Sequence, residues 1–308
     1  MDKLYDMLVV GGGPGGYTAA LYAARSGLKV AVLERMSVGG QMALTHQIEN
    51  YPGFPEGVDG YTLGERMRAG AEAYGVRTVL TDVLSVDLQA SPKKVRTPTG
   101  ELEAKTVVIA TGAGPRKLGL PGEEEMVGLG LSYCAHCDGN FFRNKTVVVV
   151  GGGNSAAGDA LILSRICKEV ILVHRRDTLR ATRIYHKQLE EAGNVRFVLN
   201  SVPTALLGQH RIEGLQVKDV HTGLTQNIAA DGVFVSIGRD PATGLVKDQL
   251  ALDQGGYIAA DETTRTNIPG VFAVGDVRSK VLRQIVTATA DGAVAAQMAE
   301  EYLAEQEL

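Results

Sequence analysis

The chain has 308 residues, of which 44% are hydrophobic and 21% are charged, and its formal net charge is −4. These values are typical of a globular protein with room for about two domains. The lack of a basic surplus argues against a nucleic-acid partner, and no apolar run approaches the roughly 18 residues that a membrane helix requires.

The N-terminus and the cysteine content bear on the compartment. Residues 1–6 hold no basic segment followed by an apolar one, so no secretory signal is predicted. The chain has three cysteines, which are too few for a disulfide framework. One functional pair in a reducing cytoplasm fits this count best.

The first segment predicts a dinucleotide-binding unit. An apolar strand over 7–10 leads into the glycine run 11–16, which matches G-x-G-x-x-G, and a helix is predicted over 17–25. A second strand, over 29–33, ends on Glu34. Such glycines bring backbone N–H groups close to a pyrophosphate, and a carboxylate at that strand end suits an unphosphorylated ribose. We therefore expect a nucleotide such as FAD. The residues assigned to it here are Gly11, Gly13, Pro14, Gly16 and Glu34.

Cys134 and Cys137 stand two residues apart, in Cys-Ala-His-Cys-Asp-Gly. Thiols at this spacing can close a disulfide at little loop-closure cost, and each tunes the acidity of the other. Structural zinc is the alternative, but it needs four ligands, and Cys167 is the only further cysteine. We interpret the pair as a redox-active dithiol, and Cys167 as a small core residue in a helical segment.

Four neighbours of the pair have open roles. Asp138 is proposed as the acid–base group, with a pKa raised by an apolar site, against the alternative of a turn residue. His136 either favours a thiolate as imidazolium or is an exposed spacer. Phe141 and Phe142 either dock a partner protein or belong to the core.

A second dinucleotide signature follows the dithiol. An apolar strand over 147–150 leads into Gly-Gly-Gly-Asn-Ser-Ala at 151–156, and a helix is predicted to about residue 166. The next strand, over 170–173, ends on His174-Arg175-Arg176. Adding 140 to Glu34 gives His174, so the two units align without a gap and differ in the charge at the strand end.

This basic strand end suits a ribose 2′-phosphate, so the second site predicts NADPH. A solvated loop is the alternative for two adjacent arginines, but their position in the unit favours the phosphate. The residues assigned to this site are Gly151, Gly153, Asn154, Ser155, Ala156, His174, Arg175, Arg176 and Arg180.

Two further strand ends predict the domain organisation. The strand over 106–110 ends in Thr111-Gly112, and the strand over 271–274 ends in Gly275-Asp276. Each indicates a close backbone approach to the flavin nucleotide, with a simple turn as the alternative. Because Asp276 lies far beyond the second unit, the first domain is predicted to be discontinuous, over 1–115 and 245–308. The second domain, over 116–244, is then an insertion.

In these motifs and their order the chain resembles the low-molecular-weight, bacterial-type thioredoxin reductases over essentially its whole length. Further segments that carry the resemblance are Gly39-Gly40-Gln41, Glu49-Asn50-Tyr51-Pro52-Gly53, Gly275-Asp276-Val277 and Arg283-Gln284-Ile285-Val286-Thr287-Ala288. The resemblance implies an α/β fold of two Rossmann-like, three-layer domains, with the NADPH domain inserted into the FAD domain. It also implies a homodimer, one FAD per subunit, and an NADPH domain that rotates between two states.

The resemblance adds site residues one by one. Those implied around the FAD ribose and ribityl region are Arg35, Gly39, Gly40, Gln41 and Asn50, with Val83 and Gly112. Those implied on the flavin side are Asp276, Arg283, Gln284 and Ile285.

The implied reaction passes a hydride from NADPH to FAD, then reduces the Cys134–Cys137 disulfide, and finally reduces thioredoxin. Cys137 is expected to face the flavin and Cys134 to attack the partner through a mixed disulfide. Related flavin-dependent reductases with another dithiol or a ferredoxin partner, and a slow flavoprotein redox sensor, are the alternatives. The presence of the NADPH-site glycines and arginines argues against ferredoxin.

The chain departs from the family pattern at three places. His136 stands where threonine is usual, and Ala157-Gly158-Asp159 replaces consecutive glutamates. Residues 240–243, Asp-Pro-Ala-Thr, replace a segment that usually holds Pro-Asn-Thr. None of them removes a group that the reaction needs, and the second could alter how tightly the nicotinamide half is held.

Overall fold

The computed structural model describes residues 4–35, 38–45 and 47–306. Residues 1–3, which belong to the segment for which no secretory signal is predicted, lie outside this range. The chain divides into two units: unit 1 consists of Met1–Gly114 and Asp240–Leu308, and unit 2 of Pro115–Arg239. Across the described residues, no helix is both long and apolar enough to cross a membrane.

The described part of unit 1 is built on a seven-stranded sheet. The hydrogen-bonded order is β3-β2-β1-β6-β5-β4, and β17 pairs with β6. The strands are β1 (Leu4–Val10), β2 (Val30–Glu34), β3 (Arg77–Leu80), β4 (Ser85–Asp87), β5 (Lys93–Thr97), β6 (Gly100–Ile109) and β17 (Val271–Ala273).

The central strands of this sheet are parallel and buried on both faces. Met7, Leu8 and Val9 of β1 are fully buried and lie in register with Val30, Ala31 and Val32 of β2. Continuous apolar runs of this kind are typical of parallel sheets covered by helices. The parallel pairing brings the carboxyl ends of β1, β2, β6 and β17 to one edge.

The helices of unit 1 are α1 (Pro14–Arg25), α2 (Gly60–Glu72) and α6 (Ile285–Gln306). Small residues of α1, with Val9 and Val32, pack against Ala295 and Ala299 of α6 in one buried cluster. The antiparallel hairpin β4-β5, which continues the sheet beside β6, was not predicted from the sequence. Its short polar strands carry a weak periodic signal.

Unit 2 has all of its residues described and contains a five-stranded parallel sheet in the order β11-β10-β9-β15-β8. Its strands are β8 (Leu131–Ser132), β9 (Thr146–Val150), β10 (Glu169–Val173), β11 (Val195–Val198) and β15 (Gly232–Val235). The chain proceeds from β9 outward to β10 and β11 and returns to the other side of β9 at β15. Ligands of open α/β sheets bind at such a switch point.

The other elements of unit 2 cover this sheet. Its helices are α3 (Ala135–Asp138), α4 (Asn154–Ser164) and α5 (Arg183–Glu191). A three-stranded antiparallel sheet consists of β12 (Ser201–Leu207), β13 (Gly214–Asp219) and β14 (Thr225–Ala229). The chain passes between the units in β7 (Ala113–Pro115) and β16 (Arg239–Pro241), which form a two-stranded sheet.

The predicted α/β class with two Rossmann-like units is confirmed, and two local expectations differ from the structure. In the domain bounds, Pro115 was assigned to the first domain but lies in unit 2, and residues 240–244 were assigned to the inserted domain but lie in unit 1. Ala242 donates its N–H to the Gly112 carbonyl and accepts from the Thr111 hydroxyl, which ties this segment to unit 1. Cys167 follows the end of α4 in a bend instead of lying within a helix, although it is buried as predicted.

Candidate functional site

The first glycine turn connects β1 to α1. Gly11 has φ +111°, and a Cβ there would overlap the carbonyl oxygen of Ala110. A Cβ on Gly16 would overlap the carbonyl of Gly11, whereas no atom lies within 4 Å of a Cβ built on Gly13. The turn is therefore tightly packed at Gly11 and Gly16 and open at Gly13, as a pyrophosphate-binding turn requires.

Glu34 lies at the end of β2, beside this turn. Its carboxylate accepts the N–H of Gly12 at 2.6 Å. A side chain at Gly12 would press on the Glu34 carboxylate, since a Cβ there would be 3.0 Å from Oε2. The strand end thus brings a carboxylate to the glycine turn, the arrangement that suits a ribose diol.

The segment 39–41 folds onto the same turn. Gly39 donates its N–H to the Gly12 carbonyl at 2.8 Å, and a Cβ on Gly40 would lie 3.5 Å from the Gly13 Cα. The Gln41 amide donates to the carbonyl of Ala113. Residues 39–41, which the resemblance implied, therefore lie against the glycine turn, which the residue pattern predicted.

Two distant segments meet through Asn50 and Gln284, whose side-chain amides are hydrogen bonded at 3.0 Å. Arg283 stacks its guanidinium on the Tyr257 ring at 3.9 Å and donates Nε to the Asp276 carbonyl at 3.4 Å. Ile285 begins α6 next to them. The residues implied on the flavin side thus form a connected group.

Three implied residues have local contacts of another kind. Arg35 forms an exposed ion pair with Asp82 at 3.1 Å. Val83 packs partly buried against the core of the unit 1 sheet. Gly112, with φ +72°, uses its carbonyl to hold Ala242.

The second glycine turn, between β9 and α4, repeats the first. Gly151 has φ +152°, and a Cβ there would overlap the carbonyl of Ser236, while Gly153 is open on its Cβ side. Arg180 donates its backbone N–H to the Gly152 carbonyl at 2.6 Å, which folds that segment back onto the turn. Asn154 accepts the N–H of Thr182 at 2.9 Å.

The basic strand end collects four residues at this turn. His174 is buried, with its ring against Gly152, whereas Arg175, Arg176 and Arg180 are exposed. Burial lowers the pKa of His174, and the three nearby guanidinium groups lower it further. The positive charge therefore lies on the arginines. The buried Nε2 of His174 has no hydrogen-bond partner among the described residues, and such a group fits a polar ligand.

Cys134 and Cys137 form a disulfide, as predicted, at the start of α3, with their Cα atoms 5.3 Å apart. The Cys134 sulfur also accepts the backbone N–H of Cys137 at 3.2 Å. Helix α3 packs on α4, and a Cβ on Gly139 would be only 3.2 Å from Leu163 and Ile166. The disulfide therefore lies in a segment that packs against α4, the helix that follows the second glycine turn.

Asp138 is bound by a residue that the sequence analysis did not identify. The buried Ser132 hydroxyl donates to Asp138 Oδ2 at 2.6 Å and accepts the backbone N–H of Cys134 at 3.1 Å. Next to it, Tyr133 donates to Glu123 at 2.7 Å. Only the position of Ser132 and Tyr133 directly before the dithiol could have indicated them, because these bonds depend on tertiary folding.

The remaining neighbours of the dithiol separate into exposed and buried groups. Phe142 is 8% exposed and makes an edge contact with Phe234 at 5.2 Å, whereas Phe141 is 50% exposed. The core alternative is therefore correct for Phe142 only. His136 is exposed. The third cysteine, Cys167, is buried, and this burial raises the pKa of its thiol to about 11.

The chain is similar to known proteins over nearly its whole length. Residues 5–292 match the family model described as pyridine nucleotide-disulphide oxidoreductase. The chain is 43% identical to the thioredoxin reductase of Treponema pallidum, with 98% of each chain covered. It is 44% identical to that of Streptomyces clavuligerus, over 99% of this chain and 95% of the relative.

Solved structures agree with these relatives. The crystal structure of thioredoxin reductase from Streptococcus pyogenes superposes with a TM-score of 0.90 at 44% identity, covering 99% of this chain and 100% of that one. The thioredoxin reductase from Giardia duodenalis gives 0.89 at 34% identity, covering 98% and 100%. The chain is therefore an enzyme that belongs to the pyridine nucleotide-disulphide oxidoreductase family and, within it, to the thioredoxin reductases.

Proposed function

We propose that this chain is a cytoplasmic, homodimeric thioredoxin-disulfide reductase that uses NADPH and FAD. The observation that carries the proposal is the pairing of two glycine turns of opposite strand-end charge with a disulfide on the helix packed beside the second turn. The family explains why these three features occur in one chain.

The first turn is proposed to hold FAD. The open side of Gly13 would receive the pyrophosphate, and Glu34 would accept hydrogen bonds from the adenosine ribose. Bound FAD supplies hydride acceptance from a nicotinamide and electron transfer to a disulfide. The group of Asn50, Gln284 and Arg283 would lie along its flavin side.

The second turn is proposed to hold NADPH. Gly153, Asn154 and the start of α4 would bind its pyrophosphate, since a helix N-terminus presents free N–H groups. Exposed Arg175 and Arg176 would bind the 2′-phosphate by charge-assisted hydrogen bonds. NADH lacks this phosphate, so the site should discriminate strongly against it.

The dithiol is proposed to reduce thioredoxin in two exchanges. After two electrons and two protons have opened the disulfide, the Cys134 thiolate attacks the disulfide of the partner and releases one partner thiolate. The Cys137 thiolate then attacks Cys134, restores the disulfide and releases the second partner thiolate. Each leaving sulfur takes one proton, and Asp138, held by Ser132, is the group placed to carry it.

The test compares cysteine variants of the purified protein, assayed with NADPH and with NADH against a panel of thioredoxins. Cys137→Ser and Cys134→Ser should each lose thioredoxin reduction and keep the yellow flavin. The control is Cys167→Ser, because Cys167 is a buried cysteine outside the disulfide and its replacement should leave turnover near the wild-type value.

Three results would contradict the proposal. Thioredoxin reduction by Cys137→Ser would refute the division of roles between the two sulfurs. Wild-type protein that binds flavin but turns over little with every thioredoxin would favour the redox sensor, or a reductase of another partner. Equal rates with NADH and NADPH would refute the role of the arginines.

A further inference from the structure

The last helix of unit 1 carries a buried carboxylate that the proposed reaction does not use. Asp291 lies on α6 and is 6% exposed. Its carboxylate accepts the backbone N–H of Gly275 at 2.8 Å and Lys280 Nζ at 2.6 Å. It also accepts Nε and Nη2 of Arg278, at 3.0 Å and 2.7 Å. With these four donors the carboxylate has one fixed orientation.

The two cations are themselves fixed by other acceptors. Arg278 donates Nη1 to the carbonyls of Ala260 and Ser279, and Lys280 donates to the carbonyl of Thr287 at 3.1 Å. Burial acts to raise the pKa of Asp291, but the hydrogen bonds from Arg278 and Lys280 prevail and lower it. Asp291 is therefore ionised at neutral pH and bound from every side.

The bond to Gly275 reaches the turn that carries Asp276. Gly275 has φ +73° and directly precedes Asp276, which is assigned to the flavin side of FAD. The next residue of α6, Gly292, touches α1: a Cβ there would overlap the Gly15 carbonyl and lie 2.8 Å from the Ala19 nitrogen. Consecutive residues of one helix therefore contact both turns that are assigned to FAD.

We propose that Asp291 is a positioning residue for FAD, which holds the Gly275-Asp276 turn at a fixed distance from the first glycine turn. The proposal rests on the assignment of FAD to unit 1. FAD bound as assigned would span the two turns, whereas ADP carries only the half assigned to the first turn and Glu34. Loss of the Asp291 carboxylate should therefore weaken FAD and spare ADP.

The experiment measures both ligands by titration calorimetry on the flavin-free full-length protein. Asp291→Asn should raise the Kd of FAD by at least about tenfold, the effect of losing a charged hydrogen bond, and leave the Kd of ADP unchanged. Asp291→Glu restores the charge and should recover part of the FAD affinity. The control is Glu300→Gln, which removes an exposed carboxylate from the same helix.

The outcomes separate this inference from the proposed function. An unchanged FAD affinity in Asp291→Asn, or equal losses for FAD and ADP, would overturn the positioning role. Wild-type protein that binds no FAD would overturn the cofactor assignment itself. If circular dichroism shows that Asp291→Asn does not fold, Asp291→Glu carries the same comparison, and a weakened FAD with unchanged ADP supports the role.

Discussion

Glu34 and His174 occupy the same place in two copies of one motif, yet the structure uses them differently. Glu34 hydrogen bonds to its glycine turn, whereas His174 is buried beneath Gly152 and leaves the positive charge to its neighbours. The residue at the strand end therefore does not by itself predict which ligand a site prefers. The charges of the residues around it are needed for that prediction.

Asp159 is a residue whose effect on the free energy of unfolding depends on pH. It lies part-buried on α4 and accepts the Ser236 hydroxyl. Burial raises its pKa, while the Ser236 bond and the charges of His136 and Arg239 reduce this shift. A carboxyl whose pKa is raised by folding stabilises the fold fully below its unfolded pKa, and this contribution disappears as the pH rises through the folded pKa.

Asp159→Asn should therefore stabilise the protein at neutral pH, by about 1 kcal/mol or less. The gain should shrink as the pH falls through the raised folded pKa and vanish below the unfolded pKa of an aspartate, about 3.9. Urea unfolding across this pH range measures it, with the exposed Glu190→Gln on α5 as the control. A variant that is less stable at neutral pH would mean that the attraction to His136 and Arg239 exceeds the cost of burial.

His136 is exposed on α3 and lies within the electrostatic reach of Asp159. A cationic imidazole between the two cysteines should favour a thiolate. His136→Thr is therefore expected to slow thioredoxin reduction and to change its pH profile. An unchanged pH profile would leave His136 as a spacer.

At the scale of the element, the short turn after α3 places two adjacent phenylalanines in different environments: Phe142 is buried and Phe141 is half-exposed. Phe142→Ala should lower the free energy of unfolding by about 3 kcal/mol, because it empties a buried contact with Phe234. Phe141→Ala should change it by less than about 0.5 kcal/mol.

The same pair tests docking. Phe141 is half-exposed and follows Cys137 by four residues, so Phe141→Ala should raise the KM for thioredoxin by about tenfold, or roughly 1.4 kcal/mol. The rate with a small disulfide substrate should not change. An unaltered KM would remove Phe141 from the docking surface.

At the scale of the whole molecule, unit 2 is continuous and has cores of its own. Buried clusters on both faces of its sheet are formed by residues within 115–239. The excised segment 115–239 should therefore unfold cooperatively in urea and bind NADPH without flavin. Circular dichroism and calorimetry test this. A segment that is unfolded alone would show that unit 2 depends on unit 1.

Local patterns specify the parts of this molecule that neighbouring residues build. Apolar runs, glycine turns and strand-end charges lie within about thirty residues of one another, the size of one strand–helix–strand unit, and their backbone geometry follows from residue type. The Cys-x-x-Cys disulfide is equally local. These features were predicted correctly from the sequence.

Contacts between distant segments were decided only by the tertiary structure. Asn50 meets Gln284 across 234 residues, and Asp291 on the last helix binds Gly275. No periodicity or spacing in the sequence predicts such pairs, because they depend on how packed elements place their side chains. The sequence alone determined that the chain has two glycine turns of the dinucleotide-binding pattern and one pair of cysteines that form a disulfide. Tertiary packing decided which side chains hold them in place, because buried polar groups must find partners wherever the fold brings them.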